Sequence, residues 1–193
     1  MSLVELIAQA DERGLAASGL ACLDRCLPLL GGDDEVLRPL WADLADGGDW
    51  GERLEQVRSK LGDAGACDLG PEASVTDEAA LLARRMLDAA PATRSHAAVR
   101  VWADACSVAA LRIHRLLEGA ATDEAGESLA DARREGRTEG MSPLVAAELR
   151  RQITVLELLA GHGAAGIRPA LEVSTEGRRI LRAVVSRRTR RRG

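Results

Sequence analysis

Four groups of residues in the 193-residue chain have types and spacings that could do chemistry. Cys22 and Cys26 stand four apart, so a helix would place both thiols on one face, where they could ligate a metal with Cys67 as a third donor. That spacing suits a disulfide poorly. Leu15, Leu23 and Leu27 surround the pair at helical intervals, which points instead to thiols acting as small apolar side chains in a core. Cys106 shares an apolar arc with Trp102 and Ile113 and reads the same way. The expectation is four reduced cysteines, no metal and a reducing compartment.

GHGAAG at 161–166 fits the glycine pattern that cradles a dinucleotide pyrophosphate. That chemistry needs a strand before the glycines, a helix opening on them and an acid about 20 residues onward. Here the preceding segment opens with Ser142-Pro143, a helix start, and Pro169 follows at once. The glycines are therefore expected to end a helix, and no cofactor is expected.

His96 and His114 are eighteen residues apart, five helical turns, and so point the same way from one long helix. The rise of about 1.5 Å per residue separates them by roughly 27 Å, too far to share a metal. Both are expected on a solvated face. His162 lies between two glycines, with nothing nearby in sequence to orient it as an acid or base. No pair of carboxylates stands isolated in an apolar setting, and the zinc-hydrolase, phosphate-loop and nucleophile-elbow patterns are missing. Catalysis is disfavoured, leaving an enzyme or metal site built from dispersed residues as the least favoured reading.

The fourth group is the C-terminus. Eight of the last sixteen residues are arginine (Arg178, Arg179, Arg182, Arg187, Arg188, Arg190, Arg191 and Arg192), and no acid follows Glu176. The formal net charge of −4 conceals a strong asymmetry. Residues 1–81 hold seventeen acids and six bases, net −11, while 82–193 hold thirteen and twenty, net +7. A terminal run of like charge at least solvates the chain. Its functional reading is contact with an acidic surface, either a protein partner or the acidic half of a second copy. The alternative is electrostatic, weakly specific binding of nucleic acid phosphates. Base stacking is disfavoured because Trp41, Trp50 and Trp102 are the only aromatics.

The elements that must carry these groups follow from composition and periodicity. Abundant Ala, Leu, Arg and Glu without Phe or Tyr predict an all-α chain. Helices are expected over 2–13, 15–27, 38–46, 50–61, 74–90, 94–118, after Thr122, over 142–160 and from about 175. The architecture expected is an irregular bundle of about seven or eight helices around a long central helix, 94–118. That helix carries Val99, Trp102, Cys106, Ala109, Ala110, Ile113, Leu116 and Leu117 on one arc, with His96, Arg100, Asp104, Ser107, His114 and Glu118 opposite. An acidic half (1–61) and a second half (76–176) form one domain joined by the Gly/Asp/Pro-rich linker 62–75, followed by a basic helix and tail, 177–193. Ile180, Leu181, Val184 and Val185 are expected to dock the start of that tail and leave Arg187 to Arg192 in water. The N-terminus lacks the layout of a secretory signal, and no run reaches the roughly 20 apolar residues of a membrane span. The function expected is a non-enzymatic interaction or regulatory module in the cytoplasm, binding a protein or itself.

Overall fold

The computed structural model describes residues 2–62, 74–119 and 125–190. Among them there is no strand, and nine α-helices follow one another: α1 (Leu3–Gln9), α2 (Glu12–Cys26), α3 (Arg38–Asp46), α4 (Trp50–Leu61), α5 (Val75–Asp88), α6 (His96–Glu118), α7 (Ala125–Glu135), α8 (Pro143–His162) and α9 (Ile167–Arg190). Two short 3-10 turns, Leu27–Leu29 and Gly163–Gly166, lead out of α2 and into α9. Most of the linker expected at 62–75 lies outside the described residues, as do Cys67, Thr122, Arg191 and Arg192.

Local sequence accounts for most boundaries. Asp11 accepts the Gly14 amide at 2.7 Å and so caps α2 at Glu12, which moves the first break upstream of the expected position. Gly47 ends α3 in the left-handed conformation (φ 83°), and Asp49 then caps α4 through the Glu52 amide. Ser74 and Asp77 cap each other's amides at the start of α5. Ser142 was expected to cap α8, but its hydroxyl turns away and donates to Glu118. Glu118 also accepts the Leu144 amide at 2.9 Å, so the last residue of α6 satisfies the first turn of α8. α9 opens at Ile167 rather than near Thr175. Pro169 falls within its first turn, where a missing amide hydrogen breaks no helical bond.

The helix enclosed on every side is α2. Every residue from Gly14 to Cys26 is buried, with α6, α9, α8, α3 and α5 packed around it. Leu15, Leu20 and Leu23 are each at most 1% exposed, and full burial of such a side chain stabilises by about 1.5–3 kcal/mol. α6 crosses α2 where Gly19 faces the Trp102 ring, whose indole NH donates to Met86 O at 2.8 Å. Trp50 meets Trp102 edge to face at 6.0 Å and donates to Pro91 O, while Trp41 donates to Asp24 at 2.7 Å.

The arc expected on α6 is the buried one: Val99, Trp102, Cys106, Ala110, Ile113, Leu116 and Leu117 are buried, and Ala109 is partly buried against the core. The opposite face needs correction at two positions, because Ser107 and His114 are 2% and 1% exposed. α8 covers that side of α6 with Glu148 and Gln152, and α7 adds Arg133. Polar residues there meet polar residues, which an apolar-versus-polar pattern does not distinguish from water. Among the described residues no helix is long and apolar enough to cross a membrane.

A side chain at position 19 would press on a tryptophan held by its own hydrogen bond: the added Cβ would lie 2.7 Å from two Trp102 ring atoms. Gly19→Val is expected to lower unfolding free energy by about 1–3 kcal/mol through overpacking, read by chemical denaturation. An unchanged midpoint would mean that α2 and α6 do not cross here.

Candidate functional site

Three groups singled out in the sequence are not assembled into a site, and the first of them is shut away from water. Cys22, Cys26 and Cys106 are buried. Burial pushes the Cys22 thiol up to about 12, against the opposing charge of Arg25, and holds Cys26 and Cys106 well above the usual thiol range. They are protonated packing groups, not nucleophiles. GHGAAG spans the end of α8, the Gly163–Gly166 turn and no strand. Gly166 is required by close approach, since a Cβ there would lie 2.5 Å from the Leu158 carbonyl oxygen. His96 and His162 are exposed, their rings beside the carbonyls of Ala10 and Leu158.

The fold joins some of the residues already singled out, His114, Arg178 and Arg182, to others that the sequence pattern left unremarked, Asp24, Arg25, Glu148 and Gln152. Adjacent residues Asp24 and Arg25, inside the enclosed helix α2, point in different directions and each finds an opposite charge. Arg25 donates from Nε and Nη2 to the two oxygens of Glu148 at 2.8 and 2.7 Å, with both side chains 0% exposed. Gln152 Nε2 donates to the same carboxylate at 2.9 Å, and Ser107 Oγ donates to Gln152 at 2.5 Å. Arg133 Nε donates to Ser107 Oγ at 2.8 Å, and its Nη2 reaches Asp104 at the surface. A continuous polar chain thus runs from the exterior of α6 to the middle of the molecule. Arg25 Nη1 has no hydrogen-bond partner among the described residues.

His114 abuts this chain, with Nε2 3.6 Å from Glu148 and Nδ1 2.7 Å from the Ala110 carbonyl. Its ring donates through Nδ1, leaving Nε2 toward the carboxylate. Burial lowers the His114 pKa, and the Glu148 charge offsets this only in part. Burial alone would raise Glu148, but Arg25, assisted by His114 and two side-chain hydrogen bonds, outweighs it and holds the carboxyl below its usual range.

The second set ties down α9. Arg178, 7% exposed at its side chain, donates to Asp24 at 2.5 Å, and the other Asp24 oxygen takes the Trp41 indole NH. Arg178 also stands 3.7 Å from Asp34, which Arg182 grips through both terminal nitrogens. Hydrogen bonds from Arg182 hold the Asp34 carboxyl below its usual range. Further on, Arg188 Nε donates to the Leu117 carbonyl at the end of α6. Leu181 is buried between these anchors, Val184 and Val185 are partly covered, and Ile180 is 37% exposed.

The six tail arginines among the described residues therefore divide. Arg178, Arg182 and Arg188 are engaged within the molecule, whereas Arg179, Arg187 and Arg190 are exposed and make no ion pair among the described residues. Of the arginines expected in water, Arg187 and Arg190 are exposed, whereas Arg188 is drawn onto the Leu117 carbonyl, and the helix runs on through them to Arg190. Buried Asp24 and Arg25 could have been suspected from LACLDRCL, two adjacent charges in a helical stretch otherwise apolar on all faces. No family model, curated protein or solved structure matches the chain.

Two outcomes follow from the buried chain. Glu148→Ala leaves Arg25 unpaired in the core and should cost about 3–5 kcal/mol, while adding Arg25→Met should restore much of it. Equal stability of the single and double variants would show that the pair is not the relevant contact. For His114, the unfolded chain takes up its proton near the ordinary value of 6.5 and the folded chain only at lower pH. Its contribution is complete above 6.5 and declines as pH falls from there to the folded value. Denaturation midpoints measured downward from neutral pH should fall for the parent and flatten for His114→Gln over that window.

Proposed function

We propose that the protein is a non-enzymatic interaction module that presents one face of a fixed arginine-rich helix to an acidic protein surface. The observation that carries this reading is the anchoring of α9. Ion pairs from Arg178 and Arg182 to Asp24 and Asp34 fasten it, and Arg188 secures its end, so that Arg179, Arg187 and Arg190 project from a rigid helix. A tail that only solvated the chain would need no such anchors.

Guanidinium groups suit carboxylates because both planes can pair through two parallel hydrogen bonds, as Arg182 and Asp34 do here. Three groups spaced along one face add orientation to attraction. The non-enzymatic part is supported by the location of the buried, mutually paired titratable groups at the centre of the molecule. Arg25, Glu148 and His114 are at most 2% exposed and are spent on joining α2, α6 and α8.

Fluorescence anisotropy of a labelled poly-glutamate peptide tests the reading. The parent protein should bind at about 50 mM salt and release as ionic strength rises. Arg179→Gln/Arg187→Gln/Arg190→Gln should weaken binding about tenfold, the sum expected of three exposed pairs. Absence of binding at low salt, or indifference to the triple variant, would overturn it. Stronger binding to duplex DNA or RNA, with a salt slope that falls in the triple variant, would put nucleic acid in the protein's place.

A further inference from the structure

We infer that the acidic surface is carried by a second copy of this chain, so that molecules associate head to tail, the Arg179, Arg187 and Arg190 face of one seated on the α3–α4 corner of the next. The inference rests on the reading of α9 as an interaction helix and names its partner.

Within one molecule α9 already recognises carboxylates of the N-terminal half twice, Asp24 through Arg178 and Asp34 through Arg182. Carboxylates of the same half that meet no cation among the described residues lie at the opposite end. Asp46 lies in the last turn of α3, and Asp49 and Glu52 lie at the start of α4. All three are exposed, and none forms an ion pair among the described residues. Asp46 stands where the carbonyl end of the helix dipole disfavours an anion, so an incoming cation gains more there than at a neutral site.

The two faces cannot meet in one copy. Asp34 is held at Arg182, and the chain from there enters α3, which also touches the Gly163–Gly166 turn ahead of α9. The α3–α4 corner lies at the first end of α6, where Trp50 donates to Pro91 O just ahead of that helix, whereas Arg188 donates to Leu117 O at its other end. The helical rise places Arg187 and Arg190 on the order of 30 Å beyond the first turn of α9. Charge left over at one end of a rigid molecule and the opposite charge left over at the other can be matched only between molecules. Beside the acidic corner lies a shallow depression lined by Glu12, Asp49, Trp50 and Arg94 among others. Arg94 is occupied by Glu12 at 3.7 Å and packs over Trp50, which leaves Asp49 to receive a guanidinium. Such a contact joins two different surfaces, so it builds open chains or rings rather than a two-fold dimer.

Sedimentation velocity on the full chain tests this. At about 20 mM ionic strength the mass should exceed the monomer and rise with protein concentration, and it should return to the monomer near 500 mM. Arg187→Gln/Arg190→Gln and Asp46→Asn/Glu52→Gln each remove one of the two faces, so each alone should associate about tenfold more weakly. An equimolar mixture of the two variants retains one intact contact and should form a 1:1 complex that grows no further. Circular dichroism of each variant checks that the helices persist. A monomer at every salt concentration, association unaffected by either pair, or a mixture that stays monomeric would overturn the inference. If the monomer still bound poly-glutamate through α9, the self-docking would fall while the interaction reading stood.

Discussion

The Arg25–Glu148 pair is the constraint to which the rest of the packing conforms. Two charges removed wholly from water are tolerable only when paired with good geometry and further hydrogen bonds, because the desolvation cost otherwise exceeds their attraction. The molecule meets this condition by bringing three helices together. α2 supplies the cation and α8 the anion, with Gln152 completing the carboxylate's partners, and α6 supplies Ser107 and His114. α9 must also yield to it, since Gly177 leaves room for the Arg25 stem, and a Cβ there would lie 2.4 Å from Arg25 Cδ. Apolar burial alone would allow these helices to slide by a turn. A bidentate pair at 2.7 and 2.8 Å does not.

The neighbouring pair transmits the same discipline to the C-terminus. Asp24 and Arg25 are consecutive, so once Arg25 is directed to α8 the helical turn of about 100° directs Asp24 elsewhere. It meets Trp41 of α3 and Arg178 of α9. The position of α9 is thereby coupled to α2 through a contact adjacent to the central one. Burial raises the Asp24 carboxyl even with these partners, so the site is costly and depends on all three groups remaining in place. The exposed arginines inherit their orientation from this interior geometry. Their charge is a matter of composition and their common face of helical spacing, but where that face points is a matter of how Asp24 and Asp34 hold the helix.

The chain alone determined the helices and most of their ends, because those depend on contacts within a few residues. Alanine- and leucine-rich composition, the Asp49 cap, the Ser74 box, Gly47 and the apolar arc of α6 all act locally, and α3 and α4 start and stop where their residues imply. The arginine-rich terminus and the acidic N-terminal half were equally legible as counts. What only the tertiary structure decided is which polar groups face water and which face one another. Ser107 and His114 read as a solvated stripe, yet α8 lies against them. Ser142 read as a cap, yet Glu118, 24 residues earlier, takes that place. The division of the tail into anchored Arg178, Arg182 and Arg188 and outward Arg179, Arg187 and Arg190 is of the same kind. Partners 71 to 154 residues away in the chain set it, and helical periodicity carries no information about what a distant segment brings to a given face.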